Sequence, residues 1–298
     1  MIEAEALPVR ALGHPVRTSA AVVVLVALAL LAVSIATNRN FDFGVVGKFL
    51  FSDVILEGVL KTLLLTVMAM ILASLLALPL ALSRLSQSRI LRGYSSAYVW
   101  VFRGTPVLVQ LIFWFNLALV FPTIGLGIPG TSLSFSVSTN DVMSPFVTAL
   151  VGLSLNEAAY MAEIIRGGLL SVDSGQTEAA LALGMTEGRT VRRIILPQAM
   201  RAILPPAGNE LITCLKTTAL VSIISYHELL GTAQGIYSVN YRTVELLIVA
   251  SFWYLVCTTV INVIQHFVEE RFGRGFVRTT PKPSLIARAA TGWRLRQS

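Results

Sequence analysis

The feature that most constrains this chain is a series of apolar runs long enough to cross a bilayer. Residues 20–36 are continuously apolar, and comparable stretches fall at 59–82, 97–121, 146–170, 211–230 and 244–268. A hydrocarbon core about 30 Å thick needs ~20 apolar residues in helical form. Only helices or closed barrels satisfy the backbone polar groups inside it. With 55% hydrophobic and 13% charged residues over 298 positions, the chain is too apolar for an ordinary soluble domain. The expected fold class is all-α: a polytopic membrane protein with about six transmembrane helices.

Residues 1–19 precede the first run and carry Arg10 and Arg17, a pattern shared with signal peptides. The run is long, however, and Thr37-Asn38-Arg39-Asn40 follows it in place of a small-x-small cleavage site. It reads as a first helix that stays attached. Residues 41–57 are mixed and aromatic, suited to the outer interface. Orientation follows from the Lys/Arg bias. With the N-terminus in the cytoplasm, inner segments hold Arg84, Arg89, Arg92, Arg189, Arg192, Arg193, Arg201 and a tail running from Arg271 to Arg296. Outer segments hold Arg39, Lys48, Lys61 and Arg242, and the Gly-, Pro- and Ser-rich loop 122–144 has no Lys or Arg. Six spans with both termini cytoplasmic satisfy this bias.

The basic tail, residues 269–298, reads as a positive-inside anchor, with contact to anionic membrane lipids as the alternative. The net charge of +7 is therefore a topology signal and does not call for nucleic acid. Cys214 and Cys257 sit in apolar stretches and read as buried thiols, while His14, His227 and His266 are scattered, so no metal site is expected.

Residues 173–206 link the fourth and fifth runs with DSGQTEAALALGMTEGRTVRRIILPQAMRAILPP. Asp173 with Gln176 is a capping-box variant, and Thr177 and Glu178 add negative character to the first turn. Ala179 to Leu183 propagate a helix, and Gly184 permits a left-handed exit. Thr186-Glu187-Gly188 starts a second turn, and residues 190–196 form a basic-apolar segment that Pro197 is expected to stop. About 30 structured residues between spans suggest a docking surface. A plain connecting loop is the alternative on these grounds.

Glu178-Ala179-Ala180, then Gly184, then Ile194, Leu196 and Pro197 match the pattern E-A-A-x3-G-x9-I-x-L-P at every fixed position. On these residues the chain resembles the membrane permease subunits of ABC importers. Phe102-Arg103-Gly104-Thr105-Pro106 with Gln110, residues 159–168 (AYMAEIIRGG), and Asn209-Glu210 with Leu215-Lys216-Thr217 resemble the polar amino-acid (histidine/glutamine/arginine) group. The resemblance covers residues 60–267 or so, implying an importer domain at 58–268 with a cytoplasmic coupling loop at 171–206. Run 20–36 is then an extra N-terminal span outside five core helices. Thr217-Thr218-Ala219-Leu220 departs from the family's more usual Asp-Thr-Ser-Leu.

The resemblance implies that Glu178 through Gly184 seat a coupling helix in a groove of a cytoplasmic ABC ATPase dimer, with residues 194–197 returning to the membrane. No G-x4-G-K-[ST] phosphate loop is present in the chain, so ATP and Mg would be used by the partner. The chain itself would be no enzyme and bind no cofactor. A second permease copy or paralogue, an extracytoplasmic substrate-binding protein and an amino-acid substrate complete the implied machine, in the cytoplasmic (inner) membrane.

Ionisable residues within spans cost about 3 kcal/mol or more and are functional candidates. In the fourth run Asn156, Tyr160, Glu163 and Gly167 share a helical face, and Glu157 lies about 100° from it. In the third, Arg103, Pro106, Gln110 and Trp114 share a face, with Pro106 expected to free a carbonyl nearby. Near the fifth, Asn209, Thr213, Lys216 and Leu220 do so, with Glu210 beside them. One reading is a polar cavity near the midplane for an amino acid. The other is structural pairing, such as Arg103 or Lys216 with Glu163 or Glu210.

Arg103, about two turns from the expected inner end, favours snorkelling or pairing. Glu210, close to the loop, suits a structural or gating role. Glu163 and Lys216 belong to the resembled pattern, which implies helix fixing or gating as readily as contact with substrate. Glu157 and Gln110 are candidates to line the path. If Glu157 and Glu163 both face it, a cationic amino acid is favoured. A proton-coupled secondary carrier using Glu157 or Glu163 is the competing class, although the two halves show no convincing repeat. A membrane-embedded enzyme would want clustered His, Cys or acidic residues at catalytic spacing, and none is present.

Overall fold

The computed structural model describes residues 15–37, 41–127 and 134–273. The expected N-terminal segment up to residue 14, Arg39 and the basic tail beyond 273 lie outside the described residues. In chain order the helices are α1 (Pro15–Ala36), α2 (Phe43–Leu50), α3 (Asp53–Leu85), α4 (Arg89–Gly104), α5 (Val107–Phe115), α6 (Thr139–Val142) and α7 (Pro145–Leu170). They continue with α8 (Ser174–Ala182), α9 (Glu187–Thr190), α10 (Leu196–Thr217), α11 (Leu229–Asn240) and α12 (Thr243–Gly273). Helices α3 and α12 are long and apolar enough to cross a membrane, and the bent pair α4–α5 qualifies if taken as one span.

Packing follows from the small residues. Ala69, Ala73, Ala77 and Ala81 recur every fourth position on α3 and are fully buried against α7, which contributes Ala149, Ala158, Ala159 and Ala162. In lipid, helices associate mainly through close van der Waals contact, and small side chains let the backbones approach. The opposite stripe of α3, including Leu60, Leu64, Val67, Ile71 and Leu75, is exposed and suits hydrocarbon. A second core joins α2, α3, α11 and α12 around Ile55, Leu229, Leu246 and Val249. There Trp253 Nε1 donates to the Leu50 carbonyl at 2.7 Å, tying α2 to α12.

The structure differs from the expected spans in three places. The third run is not one helix: α4 starts at Arg89, ends at Gly104, and meets α5 at a bend of 100°. Pro106 cannot donate to the Phe102 carbonyl and forces Thr105 into an extended conformation (φ −114, ψ 143). The loop 122–144 is not devoid of regular structure. Thr123–Gly127 (β1) pairs antiparallel with Ser134–Ser138 (β2), with Thr123 opposite Ser138 and Gly127 opposite Ser134.

The fifth run is also displaced. Helix α10 begins at Leu196, passes into a 3-10 turn over Thr218–Ile224, and α11 follows separately. Pro197 does not stop a helix; it sits in the first turn of α10, where a missing N–H costs little. Ahead of it, residues Val191–Ile195 form a π turn in which the Leu196 N–H reaches back to the Val191 carbonyl.

Candidate functional site

The break between α4 and α5 builds one wall of a polar cavity. The Phe102 carbonyl released by Pro106 accepts from Gln110 Nε2 at 3.0 Å and from Asn156 Nδ2 at 2.9 Å. Gln110 Nε2 also reaches Thr105 Oγ1 at 2.7 Å, and its Oε1 accepts from Asn156 at 3.3 Å. These two amides replace the lost backbone partner and hold the bend against α7. Gln110 therefore lies behind the cavity wall and Asn156 in it. Gln110→Leu keeps the shape and deletes the bonds, at an expected cost of about 1–3 kcal/mol. The check is a lower thermal unfolding midpoint of the purified chain, with the far-ultraviolet helical signal unchanged.

The cavity holds about 550 Å³ and is lined by Arg103, Asn156, Glu157, Tyr160, Glu210 and the start of α5, with Thr213 and Thr217 on the α10 side. Arg103 is not two turns from an inner end, because α4 begins earlier than expected; it stands at the bend, its guanidinium 4.9 Å from the Tyr160 ring centroid. Glu157 is 2% exposed, and its Oε2 has no hydrogen-bond partner. Glu210 is close enough to act on it electrostatically. The first N–H groups of α5 are unpaired by helix geometry and carry the positive end of its dipole. One cavity thus presents a guanidinium and a helix N-terminus alongside two carboxyl groups.

Two expected members are elsewhere. Glu163 shares a face with Asn156 and Tyr160 but lies about 10 Å further along the helix from Asn156. It pairs neither with Arg103 nor with Lys216: Arg84 Nη1 of α3 donates to its Oε1 and Arg166 Nη2 to its Oε2, the latter at 3.0 Å. That triad fastens the ends of α3 and α7. Lys216 is exposed and does not line the cavity. With Asn209, Thr213 and Leu220 it forms an exposed stripe on α10 and the turn that follows.

The stretch 173–206 is built as a capped, exposed helix on a fixed base. The Asp173 carboxylate accepts from the Gly175 N–H at 2.8 Å, one position short of the expected capping box. Gln176 instead reaches Gln198 Nε2 of α10 at 3.5 Å. At its other end, α8 closes with the Gly184 N–H donating to Leu181 O (2.9 Å) and Met185 N–H to Ala180 O (3.1 Å). This is a Schellman arrangement, and it needs the left-handed φ of +77° that Gly184 adopts. Ala180 is buried, whereas Glu178, Ala179 and Gly184 are exposed and Leu183 is 84% exposed. Ile194 is half-buried; Leu196 and Pro197 are exposed at the start of α10.

Residues 69–274 match the family described as binding-protein-dependent transport system inner membrane component. The chain belongs to this family. The permease is 42% identical over 286 residues to the arginine transport system permease protein ArgU of Corynebacterium glutamicum, covering 96% of this chain and 88% of that protein. It is 37% identical over 176 residues to the glutamine transport system permease protein GlnP of Escherichia coli K12, covering 58% and 72%. Among solved structures, an amino acid ABC transporter crystallised with histidines matches with a TM-score of 0.62 and 37% identity, over 73% of the permease and 94% of that chain. The inward-facing MetNI methionine transporter, at 22% identity and a TM-score of 0.56, shares the fold.

As an inner membrane component of a binding-protein-dependent system, the permease is a transport subunit that works with an ATPase and a substrate-binding protein. A proton-coupled carrier finds no support among these relatives.

The permease also has a buried polar centre that the sequence reading passed over. Glu228 is fully buried and caps α11; its Oε1 accepts from the Gly231 N–H at 3.0 Å. Its Oε2 accepts from Thr62 Oγ1 at 2.9 Å and from Tyr254 Oη at 2.6 Å, joining α3, α11 and α12. The available signal was an acidic residue three positions before Gly231, a helix-start pattern. It was hidden because residues 211–230 read as one continuous span.

Proposed function

We propose that the permease carries a cationic amino acid through the cavity between the α4–α5 bend, α7 and α10. The observation that carries this reading is the buried Glu157 carboxyl, which has an unpartnered oxygen and lies beside Glu210. A buried polar oxygen without a partner is costly, and an ammonium or guanidinium placed between the two carboxyls supplies one. Arg103 and the first N–H groups of α5 suit the substrate's α-carboxylate. Asn156 and Tyr160 complete the wall. Glu163, neutralised by two arginines, is a helix-fixing residue in this reading, and Lys216 a gating or interface residue. The 42% identity to an arginine permease supports the same class.

In the assembled machine two permease subunits, identical or paralogous, sit over an ATPase dimer that binds ATP and Mg. An extracytoplasmic binding protein delivers substrate. Both termini face the cytoplasm, 58–268 forms the importer domain, and 20–36 adds a span. Glu178, Ala179, Ala180 and Gly184 dock the ATPase, while Ile194, Leu196 and Pro197 return the coupling loop to the membrane. ATP-driven closure of the motor moves the coupling helices and switches the cavity's access. The test is uptake of labelled arginine by the reconstituted complex, with lysine, glutamine and glutamate as competitors. Arginine and lysine should compete and glutamate should not; preference for glutamate removes the cationic assignment.

A further inference from the structure

On a different face of α10 from the polar cavity, a groove of about 330 Å³ runs between α10 and α12, bounded by Leu204, Leu211, Ile261 and Met70. Its lining is almost wholly apolar, interrupted by three polar side chains, Gln265, Ser74 and Glu269. Gln265 Nε2 donates to the Pro205 carbonyl at 3.1 Å and to Glu269 Oε1 at 2.7 Å, which fixes the amide's orientation. The Gln265 Oε1 is then buried with no partner. The Ser74 hydroxyl, on the groove's α3 side, makes no hydrogen bond among the described residues. Glu269 offers its carboxylate at the groove's end. Gly208 makes room for this arrangement, since a Cβ there would overlap the Gln265 amide.

The depth of these groups is informative. Glu269 stands one turn before the end of α12, in the charged run Glu269-Glu270-Arg271 where the helix leaves hydrocarbon. Ser74 lies about 16 Å from the end of α3 at Leu85, near half of a core about 30 Å thick. A shallower hollow of about 490 Å³ shares Met70, Ser74 and Leu211 and continues along α3. The groove thus runs from one membrane interface to mid-depth, the reach of an acyl chain in one leaflet.

We infer that this groove holds a glycerophospholipid with a primary ammonium headgroup, its ammonium donating to the Glu269 carboxylate, which Gln265 holds in place, and one acyl chain lying past Ser74. An ammonium has N–H donors for this carboxylate, whereas a quaternary trimethylammonium has none. The inference is independent of which substrate the cavity takes.

The test uses the full chain assembled with its ATPase in nanodiscs of equal dioleoylphosphatidylethanolamine and dioleoylphosphatidylcholine, followed by native mass spectrometry of retained lipid. The wild-type complex should retain the ethanolamine lipid in about tenfold preference, as one charge-assisted hydrogen bond implies. Glu269→Gln and Gln265→Leu should reduce that preference to near unity with assembly intact, and Ser74→Phe should expel both lipids. Equal retention of the two lipids by the wild type overturns the inference, as does a preference that Glu269→Gln leaves unchanged. A Ser74→Cys complex that cross-links to a second permease copy or to α1 also overturns it, because protein then fills the groove. Should Gln265→Leu not fold, Glu269→Gln decides.

Discussion

Valine at position 184 is expected to abolish ATP-driven uptake while leaving the permease inserted in the membrane. Gly184 holds φ +77°, and nothing lies within 4 Å of the Cβ it lacks, so any effect comes from the backbone and not from a clash. A β-branched residue resists the left-handed region at a cost of about 1–3 kcal/mol. The two bonds that close α8 depend on that conformation, so its loss frees Ala180 O and Leu181 O and lets the exposed Leu183 move. Global stability should change little, since the site is exposed. Alanine, with less strain, should retain partial uptake. Glu178→Lys should act similarly by reversing charge on the docking face. The measurement is co-purification of the ATPase with each variant, alongside uptake in vesicles; full binding and full uptake by Gly184→Val would remove the docking role.

Glu157→Gln should lower transport of arginine by about 10- to 100-fold, the worth of a hydrogen bond to a charged group. The amide keeps the volume, and with it the packing of a residue only 2% exposed. Glu210→Gln should give a smaller loss, because Glu210 is half-buried and its charge is better solvated. Glutamine transport should fall much less than arginine transport in both variants, since only the cationic substrate loses its counter-charge. Glu163→Gln provides the contrast, weakening the α3–α7 attachment without altering the arginine-to-glutamine ratio. Initial rates with each substrate in reconstituted complexes check all three. An equal fall for arginine and glutamine would mean that Glu157 holds the fold and not the cargo.

The local and contiguous features were the legible ones. The helix at 174–182 and its glycine exit could be read in stretch 173–206, and the need for glycine at 184 follows from helix termination alone. Asn156, Glu157 and Tyr160 were legible as polar residues in an apolar run, and Glu210 as a charge at the edge of one. Level along the helix was not: periodicity assigns a face to Glu163 but says nothing of the 3.0 Å contact with Arg166 or of Arg84 waiting on another helix.

Breaks were harder than spans. Pro106 was seen to free a carbonyl, but the 100° bend depends on Gln110 and Asn156 being available to satisfy it, and Asn156 comes from another helix. The division of residues 196–240 into α10, a 3-10 turn and α11 is hidden because the apolar residues continue across the break at 218–224, where composition is silent about conformation. The hairpin at 123–138 escaped for a related reason: its turn-forming composition specifies no pairing.

The unbroken helical path from α9 through the π turn into α10 has a mechanical meaning. One end sits beside the surface proposed to meet the motor, tied there through Gln198 and Gln176, and the other carries Glu210, Thr213 and Thr217 along the cavity. Pro205 and Pro206 lie between them and cannot donate to the carbonyls of Arg201 and Ala202, so α10 is softest there. From Pro206 to Gln198 is about 12 Å along the helix, and from Pro206 to Thr213 about 10 Å. The two segments can therefore tilt about a shared joint, leaving the cavity end of α10 free to change its angle to the coupling end without unwinding either segment.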